Sequence, residues 1–346
     1  MKQARTFGPE CIGAVVAVGC LWPAMAHAQS AEPFYKGRTI SMVSGFTPGG
    51  SYDFYSRLVA RHLGRHIAGN PAIVIQAMPG AGGLNAANHL FNIAPKDGTA
   101  IGILSQTLAI EEALGAPRVQ YKAAQFNWIG RVASTVEVTL TWNTAKAKTI
   151  ADARTLPVVL ASSGPGSALD SYPRVLAHAG GFNFKIVSGY KGSSESLLAM
   201  EKGEVDGTGT TWNTLKINRK PWLDEKKVNI LVQYTRKRAV DLPDVPAAVE
   251  LGRSADDRAL LDFYMGGAEV GRAFLAPPGL DALRIAELRA AFDAAMKDPE
   301  LLAEINRANA EFSPMTGAEL QAIVAATLAV KPEVAAQVKQ VLQSGR

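Results

Sequence analysis

The sequence predicts an α/β protein of two hinged domains built on largely parallel sheets, and three observations carry that expectation. Short apolar runs alternate with amphipathic stretches along most of the chain, the pattern of strand–helix–strand units. At 346 residues the chain exceeds one typical core and suits two. Three strand candidates (39–45, 72–76 and 156–161) run straight into Pro/Gly-rich loops, each followed by a helix.

The elements follow in order. After Asp53 a helix runs to residue 67, its apolar side formed by Phe54, Leu58, Val59, Leu63 and Ile67. Residues 84–93 read as the next helix and 99–104 as a third buried strand. The stretch 127–142 is long, apolar and strand-like, suited to crossing between domains. The middle repeats the same grammar: strands at 156–161, 184–188, 204–208 and 229–234, helices at 167–179 and 195–202. Residues 271–276, closed by Pro277-Pro278-Gly279, read as the return crossing. Helices follow at 280–296, at 299–308 and from Gly317 onward, interrupted at Pro332. This helical tail is expected on the first domain, giving domain 1 as 33–137 plus 263–346 and domain 2 as 138–262.

The amino terminus differs in kind. Lys2 and Arg5 precede an apolar run from Cys11 to Trp22, and Ala26-His27-Ala28 offers a small-x-small cleavage site. That is the layout of a secretory signal peptide over 1–28, too short for a permanent span. Ala17-Val18-Gly19 before Cys20 is a weaker lipoprotein-like alternative. Cleavage after Ala28 removes both cysteines and leaves 34 basic and 30 acidic residues, a net charge of +4. A mature exported protein without thiols rests on its core rather than on disulfides. The Lys and Arg are scattered rather than clustered, which argues against nucleic acid as a partner.

The three loops carry the chemistry. They are Phe46-Thr47-Pro48-Gly49-Gly50-Ser51-Tyr52-Asp53, Met78-Pro79-Gly80-Ala81-Gly82-Gly83, and Ser162-Ser163-Gly164-Pro165-Gly166-Ser167. Glycines at a strand's carboxyl end let backbone N–H groups face outward, and the following helix adds its positive end. Together these make an anion cradle that needs no basic side chain. Ser51 and Asp53 equally suit a plain helix start, and Asp53 near a ligand would repel a carboxylate and welcome an amine or hydroxyl.

Several sharper chemistries fail on the residues. A dinucleotide fingerprint in the second loop would need Gly where Asn85 stands, and no acid ends the next strand, at Leu104-Ser105-Gln106. No G-x-S-x-G occurs, so nothing local marks a hydrolase. His62 and His66 stand four apart, but Leu63 replaces the catalytic Glu and no third ligand is evident. No metal and no cofactor is expected. Trp212, in Thr210-Thr211-Trp212-Asn213 after a strand, is placed to wall a cleft, and Lys191, in Gly189-Tyr190-Lys191-Gly192, is the one lysine in the candidate ligand loops and reads as a solvated loop lysine.

Taken in order, these marks resemble the Bug-type family of periplasmic solute-binding proteins, receptors of tripartite tricarboxylate transporters. The matching residues are Pro48-Gly49-Gly50-x-x-Asp53, Pro79-Gly80-Ala81-Gly82-Gly83, Asp97-Gly98-Thr99 and Tyr190-Lys191-Gly192. Further on come Gly203-Glu204-Val205-Asp206, Leu242-Pro243-Asp244-Val245-Pro246 and Ala276-Pro277-Pro278-Gly279. The resemblance implies a type II-like periplasmic-binding clamshell, its ligand cleft between two domains, with no catalytic residue. It implies a small organic anion, a carboxylate, as ligand, membrane permease subunits as partners, and a monomer. Carried over, Phe46, Thr47, Gly49, Gly50, Ser51 and Asp53 form one jaw, with Gly80, Ala81, Gly82 and Gly83 beside them. Ser162, Ser163, Gly166 and Ser167 form the other, joined by Tyr190, Thr210 and Trp212. The chain departs from the family's usual pattern at Gly45-Phe46 and at Thr210-Thr211-Trp212-Asn213, where an acid is usual, and this bears on which ligand is bound. The rival readings are a sensor module for a signalling partner and an exported enzyme acting on an organic acid.

Overall fold

The computed structural model describes residues 32–344; the expected signal peptide lies outside the described residues. In chain order the first part is β1 (Thr39–Ser44), α1 (Ser51–His62), β2 (Ala72–Ala77), α2 (Leu84–Asn92), β3 (Ala100–Ile103), α3 (Leu108–Ala113) and β4 (Asn127–Arg131). The middle is β5 (Glu137–Trp142), β6 (Val158–Ser162), α4 (Ala168–Gly180), β7 (Phe184–Ser188), α5 (Ser193–Glu201), β8 (Gly207–Thr211), α6 (Trp212–Asn218), α7 (Lys220–Asp224) and β9 (Val228–Tyr234). Then come α8 (Ala255–Val270), β10 (Ala273–Ala276), α9 (Ala282–Ala295), α10 (Pro299–Arg307), β11 (Met315–Thr316), α11 (Gly317–Leu328) and α12 (Pro332–Ser344).

The strands form two sheets, in the orders β11-β4-β10-β3-β1-β2 and β7-β6-β8-β5-β9. The strands linked by crossover helices pair in parallel, β1 with β2 and β3, and β6 with β7 and β8. The crossing strands enter from the other half of the molecule instead, and they pair antiparallel: β10 with β3 and β4, and β5 with β8 and β9. Both sheets are therefore mixed rather than mostly parallel. Each is covered on both faces, so β3, β8 and β10 are buried along their whole length. One face of the first sheet packs on α1, α9 and α10 through Leu58, Leu288 and Leu301, and the other on α2 and α11 through Leu90 and Leu320. The second sheet packs on α4, α8 and α12 on one side and on α5 and α6 on the other.

The run 127–142 is two strands, not one. Residues 132–136 between β4 and β5 carry the chain from one sheet to the other, and they run beside the return at Gly271 and Arg272. The N–H of Val132 donates to the carbonyl of Arg272 (3.1 Å) and the N–H of Arg272 to that of Ala133 (2.9 Å). Gly271 takes φ +56° there, and a Cβ on it would lie 2.2 Å from the Ala133 carbonyl oxygen, so a side chain would part the two crossings.

Two expectations change. The tail does not stay with the first sheet: Val338 and Val341 of α12 join the core formed with α4 and α8. The expected strand 204–208 begins three residues later, at Gly207, and α6 starts directly after Thr211. The helix α8, absent from the sequence expectation, is capped by Ser254 and Asp257 bonding each other's backbone N–H. Gly267 lets it approach the Tyr172 hydroxyl and Ile110, which a Cβ would meet at 3.0 and 3.1 Å.

Candidate functional site

The loops after β1, β3, β6 and β8 open toward one another at the carboxyl ends of their strands, where open α/β sheets place ligands. They enclose a cavity lined by Phe46, Thr47, Gly50, Ser51 and Tyr52 from the first loop and by Ser105 after β3. Across the gap stand Ala168 and Leu169 of α4, Ser193 of α5, and Thr210, Thr211 and Thr214 of β8 and α6. Glu137, first in β5, and Arg272, just before β10, complete it. The cavity volume is about 30 Å³.

Three helices begin at this cavity. The first turns of α1, α4 and α5 supply Gly50–Tyr52, Ala168–Leu169 and Ser193, so their positive ends meet there. The floor is ionic. Arg272, 1% exposed, donates to Ser51 Oγ from Nε (3.0 Å) and Nη2 (2.8 Å). It donates from Nη1 to Gln106 Oε1 (2.6 Å) and from Nη2 to Glu137 Oε1 (3.4 Å). Its guanidinium lies 3.9 Å from the centroid of the Tyr52 ring, which stacks on Phe46 at 4.3 Å. Gln106 ties the floor together: Nε2 donates to Glu137 Oε1 (3.3 Å) and to the Tyr172 hydroxyl (3.2 Å), while Oε1 also accepts from Thr135 (2.8 Å). Burial pushes the Glu137 carboxyl up, against the pull of Arg272. Burial likewise raises the Tyr52 phenol. Thr210 Oγ1 is buried without a hydrogen-bond partner among the described residues.

The expected residues separate into three groups. Phe46, Thr47, Gly50, Ser51 and Thr210 line the cavity. Asp53 does not: it accepts from the Gly49 N–H (3.1 Å) and pairs with Arg57, holding the loop's shape. The second and third loops do not line this cavity; they meet each other, and Ala81 and Pro165 line a separate one. A Cβ on Gly82 would lie 2.6 Å from the Ser167 nitrogen, and the Thr107 hydroxyl donates to the Gly166 carbonyl (2.8 Å). Gly83 lies against Phe46, and Gly80 and Ala81 carry positive φ in the same turn. Ser162 and Ser167 of the third loop are spent locally. Ser162 Oγ accepts from the Gly164 N–H and donates to Asp170, and Ser167 Oγ donates to the Gly164 carbonyl. Ser163 Oγ is buried without a partner among the described residues. Tyr190 packs in the core beside α5, and Trp212 donates to Asp241 on the surface (3.2 Å).

Further bonds cross the gap. Ser194 Oγ donates to the Pro48 carbonyl (3.1 Å) and Asn218 Nδ2 to that of Gly49 (2.9 Å). Asn213 Nδ2 donates to the Tyr55 hydroxyl (3.1 Å), and its Oδ1 accepts from the Glu311 N–H (3.1 Å). His62 and His66 pair with Glu304 (3.0 Å) and Asp298 (2.8 Å), tying α1 and the turn after it to α10.

Sequence reasoning missed Arg272, Glu137 and Gln106, and with them the charge at the site. A signal was present for the first two. Arg272 is the lone charge of 271–276, and Glu137 shares the largely apolar stretch 127–142 with Arg131 alone; a buried charge needs a partner.

Among proteins of known sequence, the UPF0065 protein in the gbd 5′ region of Cupriavidus necator is 28% identical over 302 residues, covering 83% of each chain. Among solved structures, the periplasmic binding protein BugD superposes with a TM-score of 0.71 at 22% identity, covering 89% of this chain and 98% of that one. MatC from Rhodopseudomonas palustris with bound malate gives 0.66 at 22% identity, covering 88% and 99%. The fold is thus that of two-domain periplasmic binding proteins. A family model described as tripartite tricarboxylate transporter family receptor matches residues 56–338. The chain belongs to that receptor family.

Proposed function

We propose that this protein is a periplasmic receptor that captures a small carboxylate by closing two domains on it and delivers it to the membrane subunits of a tripartite transporter. The observation that carries this reading is the convergence of three helix starts and the Arg272 guanidinium on one enclosed cavity. Malate bound in a structurally similar protein supports the ligand class. Hydrogen bonds to a charged group contribute about 1.5–3 kcal/mol each. Four or five support micromolar binding, roughly 8 kcal/mol, after ordering and desolvation. The cavity is small, about 30 Å³, and entry through an open form with the jaws parted is part of this reading. The jaws are 33–137 with 263–346, and 138–262, except that α12 packs with the second. The receptor acts as a monomer, exported by a signal peptide cut near Ala28.

A thermal-shift screen of mono-, di- and tricarboxylates on the chain from residue 29 onward tests this. A ligand at a hundred times its Kd adds about 2.7 kcal/mol of stability, a shift of a few degrees. A panel with no stabilising acid refutes the reading, and conversion of a bound acid during incubation refutes the receptor assignment. Loss of uptake of that acid on deleting the permease genes tests delivery.

A further inference from the structure

We propose, on the footing of the carboxylate-binding reading above, that the ligand is a small monocarboxylate bearing a hydrogen-bond donor on the adjacent carbon, a 2-hydroxy or 2-amino acid. Its carboxylate meets Arg272 and the helix starts, and its hydroxyl or ammonium donates to Glu137.

Four observations carry this. Among the described residues, Arg272 and Glu137 are the only charged side chains lining the cavity, and they face each other. The fixed charges therefore cancel. What remains is the positive end of α1, α4 and α5, fractional at each helix and suited to one negative charge rather than two. Second, both hydrogen bonds that Glu137 accepts fall on Oε1. At 5% exposure it is an acceptor almost withdrawn from water, and a ligand carboxylate brought beside it would be repelled where solvent screens little. Third, Arg272 and Glu137 pair directly, Nη2 to Oε1 at 3.4 Å, and Nη1 spends one of its two hydrogens on Gln106. A ligand that engages both groups is best served by a carboxylate and a donor close together in the molecule, as on neighbouring carbons. Fourth, Thr210 Oγ1 lines the same cavity, buried and without a partner among the described residues. A buried hydroxyl left unpaired is costly, and a compact polar ligand satisfies it where an alkyl chain does not.

The test is calorimetric titration with matched three- and four-carbon acids: 2-hydroxypropanoate, alanine, propanoate, succinate and malate. The expected result is that 2-hydroxypropanoate or alanine binds at least tenfold more tightly than propanoate, which lacks the donor, and than succinate, which adds a second charge. In the Glu137→Gln variant, confirmed folded by circular dichroism, that preference falls below threefold and succinate gains about tenfold. Succinate or propanoate binding the wild type as tightly as the donor acids overturns this proposal and leaves the carboxylate reading standing, and that comparison does not depend on the variant folding. An unchanged preference in a folded Glu137→Gln variant also overturns it. No binding by any acid, with a wider panel equally silent, overturns both.

Discussion

Gly82→Ala tests closure with the smallest available change. Gly82 holds φ +65°, and the added methyl would sit 2.6 Å from the Ser167 nitrogen, 2.7 Å from the Gly166 carbonyl carbon and 2.8 Å from the Pro165 oxygen. All three are backbone atoms on the opposite jaw, so no side chain can swing aside. Ordinary contact begins near 3.4 Å, and the jaws must separate there by roughly 0.8 Å, a distance that forfeits a good part of the local dispersion. The separation also stretches the bond from Thr107 to the Gly166 carbonyl, 2.8 Å in the closed arrangement and worth about 1 kcal/mol. With crowding added, the closed form loses about 2 kcal/mol, or roughly thirtyfold in affinity. Gly164→Ala is the control, because Gly164 has φ +98° and nothing within 4 Å of its would-be Cβ. It carries the backbone strain, about 1–2 kcal/mol, without the clash. Affinity for the best acid is measured by calorimetry and the radius of gyration by small-angle scattering. The expected result is weak binding and a larger radius for Gly82→Ala, with wild-type values for Gly164→Ala. Equal affinity and radius in the two variants would refute the argument that these loops meet on closing.

Arg272→Met leaves Glu137 buried without its counter-charge and is expected to cost about 3–5 kcal/mol in urea unfolding; adding Glu137→Gln should restore part of it, and strictly additive losses would refute the pairing. Burial raises the Glu311 carboxyl to about 7, so its neutral form suits the closed fold. Its favourable contribution is complete below the unfolded value near 4.5 and is lost as pH rises to about 7, on the order of 3 kcal/mol at most. Glu311→Gln should flatten that slope in unfolding measured from pH 4.5 to 8, and an unchanged slope refutes the assignment. Asn213→Ala removes the bonds to Tyr55 and to the Glu311 N–H; a loss of about 1–3 kcal/mol, part of it as weaker ligand affinity, is expected, and unaltered binding would show that this contact does not hold the jaws together.

The strands at 39–44 and 184–188 were legible because each is a short apolar run ended by Ser-Gly, and the strand at 72–77 because Pro79-Gly80 follow it closely. The helix start at Ser51 announced itself through Gly49-Gly50, and the same loop lines the cavity. What stayed hidden was partnership across long sequence distances. Arg272 meets Ser51 across 221 positions and Glu137 across 135, and no local pattern encodes such a meeting. Ser162 and Ser167 of the third loop resemble ligand donors in sequence, yet their hydroxyls answer nearby backbone groups, the local competition such residues offer. The helix α8 was obscured by Gly266-Gly267, a weak pair for helix propensity, and tertiary packing against Tyr172 overrides that weakness.

The backbone bonds joining Val132 and Ala133 to Arg272 set a fulcrum, and Arg272 and Glu137 lie almost on it. On the proposed closure, the contacts of Gly82 with Ser167 and of Pro48 with Ser194 would part while this ionic anchor travels little and stays assembled. A metabolite reaching the proposed open form would then find its first attachment already built, which would set how quickly it is caught. The rim contacts would form afterwards and govern how long it is kept.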